Sequence, residues 1–557
     1  MRRTLYYGDN LEVLRKYIGD ESVDLIYLDP PFNSNRDYNL LFKEQSGEPA
    51  QAQIKAFTDT WHWSERAFHE FIEGCSRPAL VELLQGFVRT LGRNDLTAYL
   101  VMMAPRLIEL HRVLKPTGSL YLHCDPTASH YLKIMLDVIF GAKNFRNEIA
   151  WKRTSAHSGA KRWGPVHDVI LFYTKSELYT WNSVRTDYAD DQLQKRFPYQ
   201  DERGRYGLRD LTGSGVRTGE SGQPWRGLDP TKIGRHWAVP NRIVESLVDK
   251  DRAKQMSVQE KLDLMDAEGY IAWPKKGNMP KYKLYLSTSE GTAVQDMILD
   301  IPPISPTARE RLGYPTQKPL ALLERILQAS SNEGDVVLDP FCGCGTAIVA
   351  AEKLRRQWMG IDITHLAIGL IKYRLSDMFG LQEKKDYQII GEPTTVAEAR
   401  ALARQDRDEF QKWAIGLIPR ARPFQEKKGA DTGIDGVLYF QDDKQDAKKA
   451  VIQVKSGKVG VKDIRDFRGV LEREKATLGL FVTLEPPTEP MRQEAARAGF
   501  YTTPLGNQPL PRLQIRTVEQ LLNGEGFQIP SAALLMGVAR AARQISDSGQ
   551  QPILLDE

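Results

Sequence analysis

Two apolar runs in this chain stop in the same way. VDLIYLD (23–29) ends at Asp29 and continues into Pro30, Pro31 and Phe32, while VVLD (336–339) ends at Asp339 and continues PFCGCGTA. An apolar run closed by an acid and a proline predicts a strand that terminates abruptly. The glycines after Asp339 let backbone approach a ligand at the carboxyl end of a parallel strand, beside a helix N-terminus.

The texture around these runs sets the organisation. Residues 1–151 alternate strand and helix: TLYYGD, NLEVLRKY, VDLIYLD, then YLVMMAPRLIELHRVL running through KPTG into SLYLHCD. From 152 to 311 the alternation breaks into Gly, Pro, Arg and Trp-rich stretches, and it resumes over 312–393 with LALLERILQASSNEGDVVLDPFCGCGTAIVAAEKLRRQWMGIDI. Neither α/β half has enough strands for a sheet of its own, so the two are expected to share one sheet, interrupted by an insert. A polar helix near 394–411 opens a last compact region to about residue 525, and 526–557 is expected to be a helix with a loose end.

At 557 residues the chain exceeds one core, and two to four domains are expected. No apolar run approaches the roughly 20 residues of a membrane span, and MRRTLYYGDN has no apolar stretch behind its arginines, so a cytoplasmic location is expected. Cys75, Cys124, Cys342 and Cys344 form no paired framework and are expected to be reduced thiols. A net charge of +4 implies no particular partner, though a locally basic face could still bind a polyanion.

The glycine turn lacks both G-x-G-x-x-G and the Lys-Ser/Thr of a phosphate loop, which suggests a nucleotide-like ligand held without a phosphate-recognising lysine. Asp362, ending WMGID, is placed to accept from ribose hydroxyls. Asp29 beside rigid carbonyls can accept from an amino group, and a neighbouring ring can stack on a flat base for about 1–3 kcal/mol.

LDPPF and LDPFCGCGT, with YYGD (6–9), LKPTGSLYLHCD (114–125) and GYPTQKPLALLERI (313–326), resemble the S-adenosylmethionine-dependent amino-methyltransferases of DNA, in the order of their β group. The resemblance covers roughly 1–151 and 312–392. It implies a Rossmann-like methyltransferase sheet interrupted by a target recognition insert. It also assigns roles: Asp29 accepts from the target amine with the Pro30 carbonyl, and Pro31 holds Phe32 against an extruded base. Asp339, Phe341, Gly343, Gly345 and Thr346 line the methionine end of the cofactor, with Asp362 at its ribose, Asp9 on the adenine side, and Thr316 and Lys318 covering the methionine moiety. Cys344 stands where serine is common. Asp at the first motif position favours N6 of adenine over N4 of cytosine, although the acceptor geometry fits both amines. Methyl transfer from a sulfonium is an in-line displacement that needs orientation and proton withdrawal rather than a metal, and the base must leave the stack.

The insert takes the place of the family's DNA reader, and KRWGP, RGRYGLRD and GRHWAVPNR suit phosphate contacts and base-edge readout, although small-core aromatics explain them too. Near the C-terminus, GIDGVLYF and KKAVIQVKSG read as two strands, with Gln453 and Lys455 on one face of the second and Asp435 at the start of the first. Such a trio could hold a divalent metal and a water that attacks phosphate. It resembles the PD-(D/E)XK nuclease fold in its Mrr-like form over about 400–505, a small α/β restriction-endonuclease-like domain. Asp435 is the implied Mg²⁺ ligand, and Gln411 stands where the leading helix often carries Glu next to Phe.

The expected protein is a site-specific methyltransferase of double-stranded DNA with a fused Mg²⁺-dependent nuclease-like domain, in restriction-modification or phage defence. A nuclease effector that reads DNA through its methyltransferase half, and a binding protein with both sites degenerate, are the alternatives. A homodimer or other defence-system subunits are left open as partners, and no membrane is expected.

Overall fold

The computed structural model describes residues 3–31, 63–154, 161, 163–188, 190–274, 279–305, 308, 310–312, 314, 316–424, 433–440, 448–503 and 509–530. The chain forms two compact units, Ser183–Gln295 and the remainder, Met1–Asn182 with Asp296–Glu557.

The larger unit holds two principal sheets. The first takes strands β1 (Arg3–Tyr7), β2 (Val23–Leu28), β3 (Leu114–Cys124), β4 (Phe145–Lys152), β5 (His167–Thr174), β6 (Met297–Ile298), β7 (Val336–Asp339), β8 (Gln357–Asp362) and β9 (Gln388–Ile390), in the order β6-β4-β5-β3-β2-β7-β8-β1-β9. From β3 to β9 all neighbours are parallel, while β5 runs antiparallel to both β3 and β4. Both halves of the chain therefore share this sheet, and β2 of the first half lies directly beside β7 of the second.

Side-chain alternation explains the layers. Ile26 and Leu28 of β2 join a core with helices α1 (Asn10–Tyr17), α2 (Asp95–Val113) and α3 (Pro126–Phe140). Leu25 and Tyr27 face the opposite core, with α4 (Leu320–Ser330), α5 (Thr346–Lys353) and α6 (His365–Phe379). The period of two sends successive residues to opposite sides, so a strand covered on both faces must be apolar throughout. Each fully buried aliphatic side chain contributes about 1.5–3 kcal/mol.

The sequence predicts an insert over 152–311, but β5 lies inside that stretch and is an inner strand of the main sheet. Its run HDVILFYT is buried after the first residue, which only a place between two strands satisfies. The separate unit Ser183–Gln295 has its own four-stranded antiparallel sheet and a core that includes Leu211, Trp225, Trp237 and Tyr285.

The second sheet of the larger unit orders β10 (Arg422–Pro423), β11 (Gly436–Phe440), β12 (Lys448–Lys455), β13 (Leu478–Thr483) and β14 (Leu513–Thr517) consecutively. Helices α7 (Val396–Gln405) and α8 (Arg407–Gly416) pack on Leu438, Ala450, Ile452 and Val454. Helices α9 (Val461–Arg473) and α10 (Glu489–Ala496) pack on Val437, Val451 and Phe481 of the other face. Residues 531–557, in the expected C-terminal tail, lie outside the described residues.

Candidate active sites

The parallel pairing of β2 and β7 brings the two acid-proline ends together. Leu338 registers with Ile26, so Asp29 and Asp339 both emerge at the carboxyl edge of adjacent strands. Asp339 is buried and accepts from the Phe341 backbone N–H at 3.1 Å. Burial pushes its carboxyl well above the usual range, the Phe341 N–H opposes that, and the charges of Asp29 and Asp362 push it further up.

After Asp339 the chain turns through Gly343 at φ +47° and Gly345 at φ +74°, a left-handed region that only glycine enters without strain. A Cβ on Gly345 would lie 2.6 Å from Ile371 Cγ1, and one on Gly343 would lie 3.1 Å from the Tyr314 ring. Helix α5 starts at Thr346, whose side chain is buried. Asp362 ties this turn to the next strand: one oxygen accepts from Gly343 N at 2.9 Å, the other from Thr364 N at 3.0 Å and its hydroxyl at 2.9 Å. Burial pushes the Asp362 carboxyl up to about 6 despite these donors, and Glu409 adds to the rise.

Several residues that hold the turn carry no signal in a single sequence. Arg374 of α6, itself buried, donates to the Cys344 carbonyl at 2.7 Å and to the Thr346 hydroxyl at 3.3 Å. Asn10 donates to the Pro340 carbonyl at 2.9 Å. Asp9, expected beside a cofactor's adenine, caps α1 by accepting from Leu11 N at 2.8 Å, and its other oxygen pairs with Arg106 at 2.6 Å. Arg106 also holds Asn10, so Asp9 and Asn10 form one frame behind the turn.

On the Asp29 side, Pro30 is buried and Pro31 half-buried, while Phe32 lies outside the described residues. Lys318 is ion-paired with Asp29, and Thr316 is exposed. Beneath Asp29 runs a buried chain of polar groups. The Tyr27 hydroxyl and His123 Nδ1 share a hydrogen bond at 2.8 Å, His123 Nε2 donates to Asp168 at 3.1 Å, and Arg153 pairs with Asp168 at 2.9 Å. Burial would raise the Asp168 carboxyl, but the His123 hydrogen bond with the charges of His123, Lys318 and Arg153 holds it below its usual range. Asp168 comes from β5, within the stretch that the sequence predicts as an insert.

The reader candidates divide. Trp237 is core, whereas Trp163 is 97% exposed. Arg226 lies over the rings of Trp225 and Trp273, a packing role within its own unit.

In the second sheet Asp435 immediately precedes β11, and its backbone N–H donates to Ile452 O at 2.9 Å. The antiparallel register pairs Gly436 with Ile452, which sets Asp435 opposite Gln453. Asp435 Oδ2 accepts from Val454 N at 2.6 Å, Gln453 Nε2 donates to Gly433 O at 3.1 Å, and Lys455 is half-buried at the strand end. Among the described residues no cluster of three or more His, Cys, Asp or Glu side chains could hold a metal ion. Gln411 is half-buried on α8, whose core residues pack on the opposite face of the sheet. The carboxylate directly before Phe410 in that helix is Glu409, and it accepts from His365 N of α6 at 2.9 Å.

A doubly wound sheet with a glycine turn and two acid-proline ends at its carboxyl edge defines an α/β ligand-binding enzyme class, here followed by a second small α/β sheet. Residues 23–372 match the DNA methylase family of N6/N4 methyltransferases, and the chain belongs to that family. Residues 402–502 match the Mrr-type restriction endonuclease catalytic domain. The chain is 34% identical over 280 residues to the type II methyltransferase M.EcaI of Enterobacter cloacae, spanning 50% of this chain and 58% of that protein. It is 26% identical over 368 residues to the type III restriction-modification enzyme StyLTI Mod subunit of Salmonella typhimurium, 63% of this chain and 50% of that protein. The chain thus spans little more than half the length of these curated relatives. The crystal structure of TTHA0409 from Thermus thermophilus aligns at a TM-score of 0.31 with 16% identity, over 70% of this chain and 99% of that one. Among the described residues no helix is long and apolar enough to cross a membrane.

Proposed function

We propose that the first sheet transfers a methyl group from S-adenosylmethionine to the exocyclic amine of a flipped base in double-stranded DNA, N6 of adenine in preference to N4 of cytosine. The observation that carries this reading is the adjacency of Asp29 and Asp339 on paired strands. It supports an amine acceptor and a cofactor turn working at one edge.

The site suits a cationic cofactor. Asp29, Asp339 and Asp362 crowd one edge, and two of the three carboxyls are pushed upward by burial. A sulfonium with its ammonium would relieve that crowding. Asp339, Phe341, Gly343, Gly345 and Thr346 would hold its methionine end and Asp362 its ribose, since the Asp362 oxygen that accepts from Gly343 N keeps a further acceptor lone pair. When bound, S-adenosylmethionine supplies an activated methyl group. Asp29 and the Pro30 carbonyl orient the amine and accept its hydrogens, so positive charge growing on nitrogen is met by a fixed carboxylate. Pro31 fixes the approach, and Phe32 is proposed to pack on the base.

Asp at the first motif position supports adenine. The separate unit Ser183–Gln295 is the proposed DNA reader. Asp29→Ala should retain tritiated S-adenosylmethionine binding and lose at least 100-fold in label transferred to DNA. A variant that methylates normally contradicts this account. Methylome sequencing of cells expressing the protein would name the base and its context.

A second reading belongs to the second sheet: a Mg²⁺-dependent nuclease in which Asp435 and Gln453 Oε1 hold the ion and Lys455 assists attack on phosphate. It is supported by the pairing of Asp435 with Gln453 on one face. A defence role, with other subunits or a homodimer left open as partners, is supported by the match of one chain to both a DNA methylase and a restriction endonuclease model.

A further inference from the structure

Lys318 stands out from the residues that resemblance groups with the cofactor, because it is ion-paired with the amine-side acid. Its ammonium meets Asp29 Oδ2, and the two side chains are 15% and 23% exposed. The same ammonium bears electrostatically on Asp168 and Asp339. One cation therefore sits among three carboxylates drawn from β2, β5 and β7.

The backbone that carries Lys318 is fixed on both sides. Gln317, the preceding residue, accepts from Leu312 N at 2.7 Å and donates to Glu310 O at 2.5 Å. Pro319, the next residue, directly precedes α4, whose first N–H, that of Leu320, is accepted by Glu310 at 3.0 Å. With its backbone already held, Lys318 gives up only side-chain freedom on pairing, and the low exposure of both side chains limits screening of the contact by solvent.

We propose that Lys318 is a positioning residue for the amine side of the reaction: it holds one oxygen of Asp29 and so turns the other toward the target amine. This rests on the methyltransferase reading above. It differs from a lysine that covers the methionine moiety, whose loss would weaken cofactor binding. A positioning lysine would instead act on the transfer step, since the carboxylate it leaves behind is free to rotate and faces Asp339 without the ammonium between them.

The full chain with Lys318→Met or Lys318→Arg separates the two roles. Equilibrium dialysis with tritiated S-adenosylmethionine reads cofactor affinity, and single-turnover label transfer to unmodified mixed-sequence DNA, at saturating cofactor, reads the transfer step. Lys318→Met should slow transfer at least 30-fold with cofactor Kd within threefold, and Lys318→Arg should recover at least a third of that loss. A Kd raised tenfold or more with transfer at the wild-type rate would overturn the proposal, as would Lys318→Met behaving like wild type in both. Thermal unfolding of Asp29→Asn, Lys318→Met and the double variant tests the pair without any activity. The double variant should lose less than the sum of the single losses, and strict additivity would show that the two side chains do not pair. If wild-type protein labels no DNA, the methyltransferase reading fails and this role falls with it. If wild type labels DNA and Lys318→Met is unaffected, only the role of Lys318 fails.

Discussion

Asp362 concentrates the electrostatics of the methyltransferase half in one group. Its carboxyl is pushed up to about 6, chiefly by burial. An unperturbed aspartate titrates near about 3.9, so the folded chain binds this proton more tightly than the unfolded chain does. Stability from this group is therefore complete below about pH 4 and is lost as pH rises through about 6, by roughly 2–3 kcal/mol. Comparing urea denaturation of wild type and Asp362→Asn across pH 4 to 8 isolates that contribution, because the other titrating groups largely cancel. The difference between the two should drift by about that amount up to pH 6 and be flat above pH 7. A flat difference throughout would show that Asp362 titrates as an exposed acid. The sequence placed Asp362 at a strand end, where a ribose acceptor belongs. It could not show that both oxygens already bond Gly343 and Thr364, because those contacts depend on how the turn packs against the neighbouring strand.

At the scale of elements, the first turn of α6 shows how the two sheets of the larger unit are joined. The Thr364 hydroxyl caps α6 by accepting from Ala367 N, but the His365 N–H is taken by Glu409 of α8. The His365 ring stacks on Tyr7 with centroids 3.8 Å apart, and its Nδ1 lies 3.1 Å from Glu392. Glu409 also pairs with Lys412 at 3.0 Å. Replacing Glu409 with Ala leaves a buried N–H and a buried ammonium short of an acceptor, and should cost about 1–3 kcal/mol. Glu409→Gln keeps an acceptor oxygen and should cost less. Chemical denaturation measures both, and equal losses would mean that the hydrogen bond to His365 contributes nothing. The Mrr-like resemblance set Gln411 in the metal-site position of this helix. The core residues of α8 pack on the face of the sheet opposite Gln453 and Lys455, and Glu409 accepts from His365 in the methyltransferase half.

At the scale of the molecule, the two proposed chemistries lie on two separate sheets, and they should fail independently. Lys455 is half-buried at the end of β12, so Lys455→Ala should fold. It should abolish Mg²⁺-dependent nicking of plasmid DNA while leaving tritium transfer from S-adenosylmethionine within twofold of wild type. Equal nicking by wild type and variant would point to a contaminating nuclease. Loss of both activities together would show that the sheets do not work separately.

Local order in the chain determined much of this. Apolar runs with period two, acids at strand ends, the glycine turn and the shared parity of Gln453 and Lys455 are properties of neighbouring residues, and backbone geometry converts them directly into strands and faces. Those signals also sufficed for the two families. Tertiary structure alone decided which distant groups meet. The order β5-β3-β2-β7 puts Asp168, His123, Asp29 and Asp339 at one edge, and Lys318 reaches Asp29 from a separate loop. It also moved His167–Thr174 from the expected insert into the sheet, and turned Asp9 toward Arg106. Strand order and register arise from the burial of whole faces, a sum over many residues, so no short stretch of sequence encodes them.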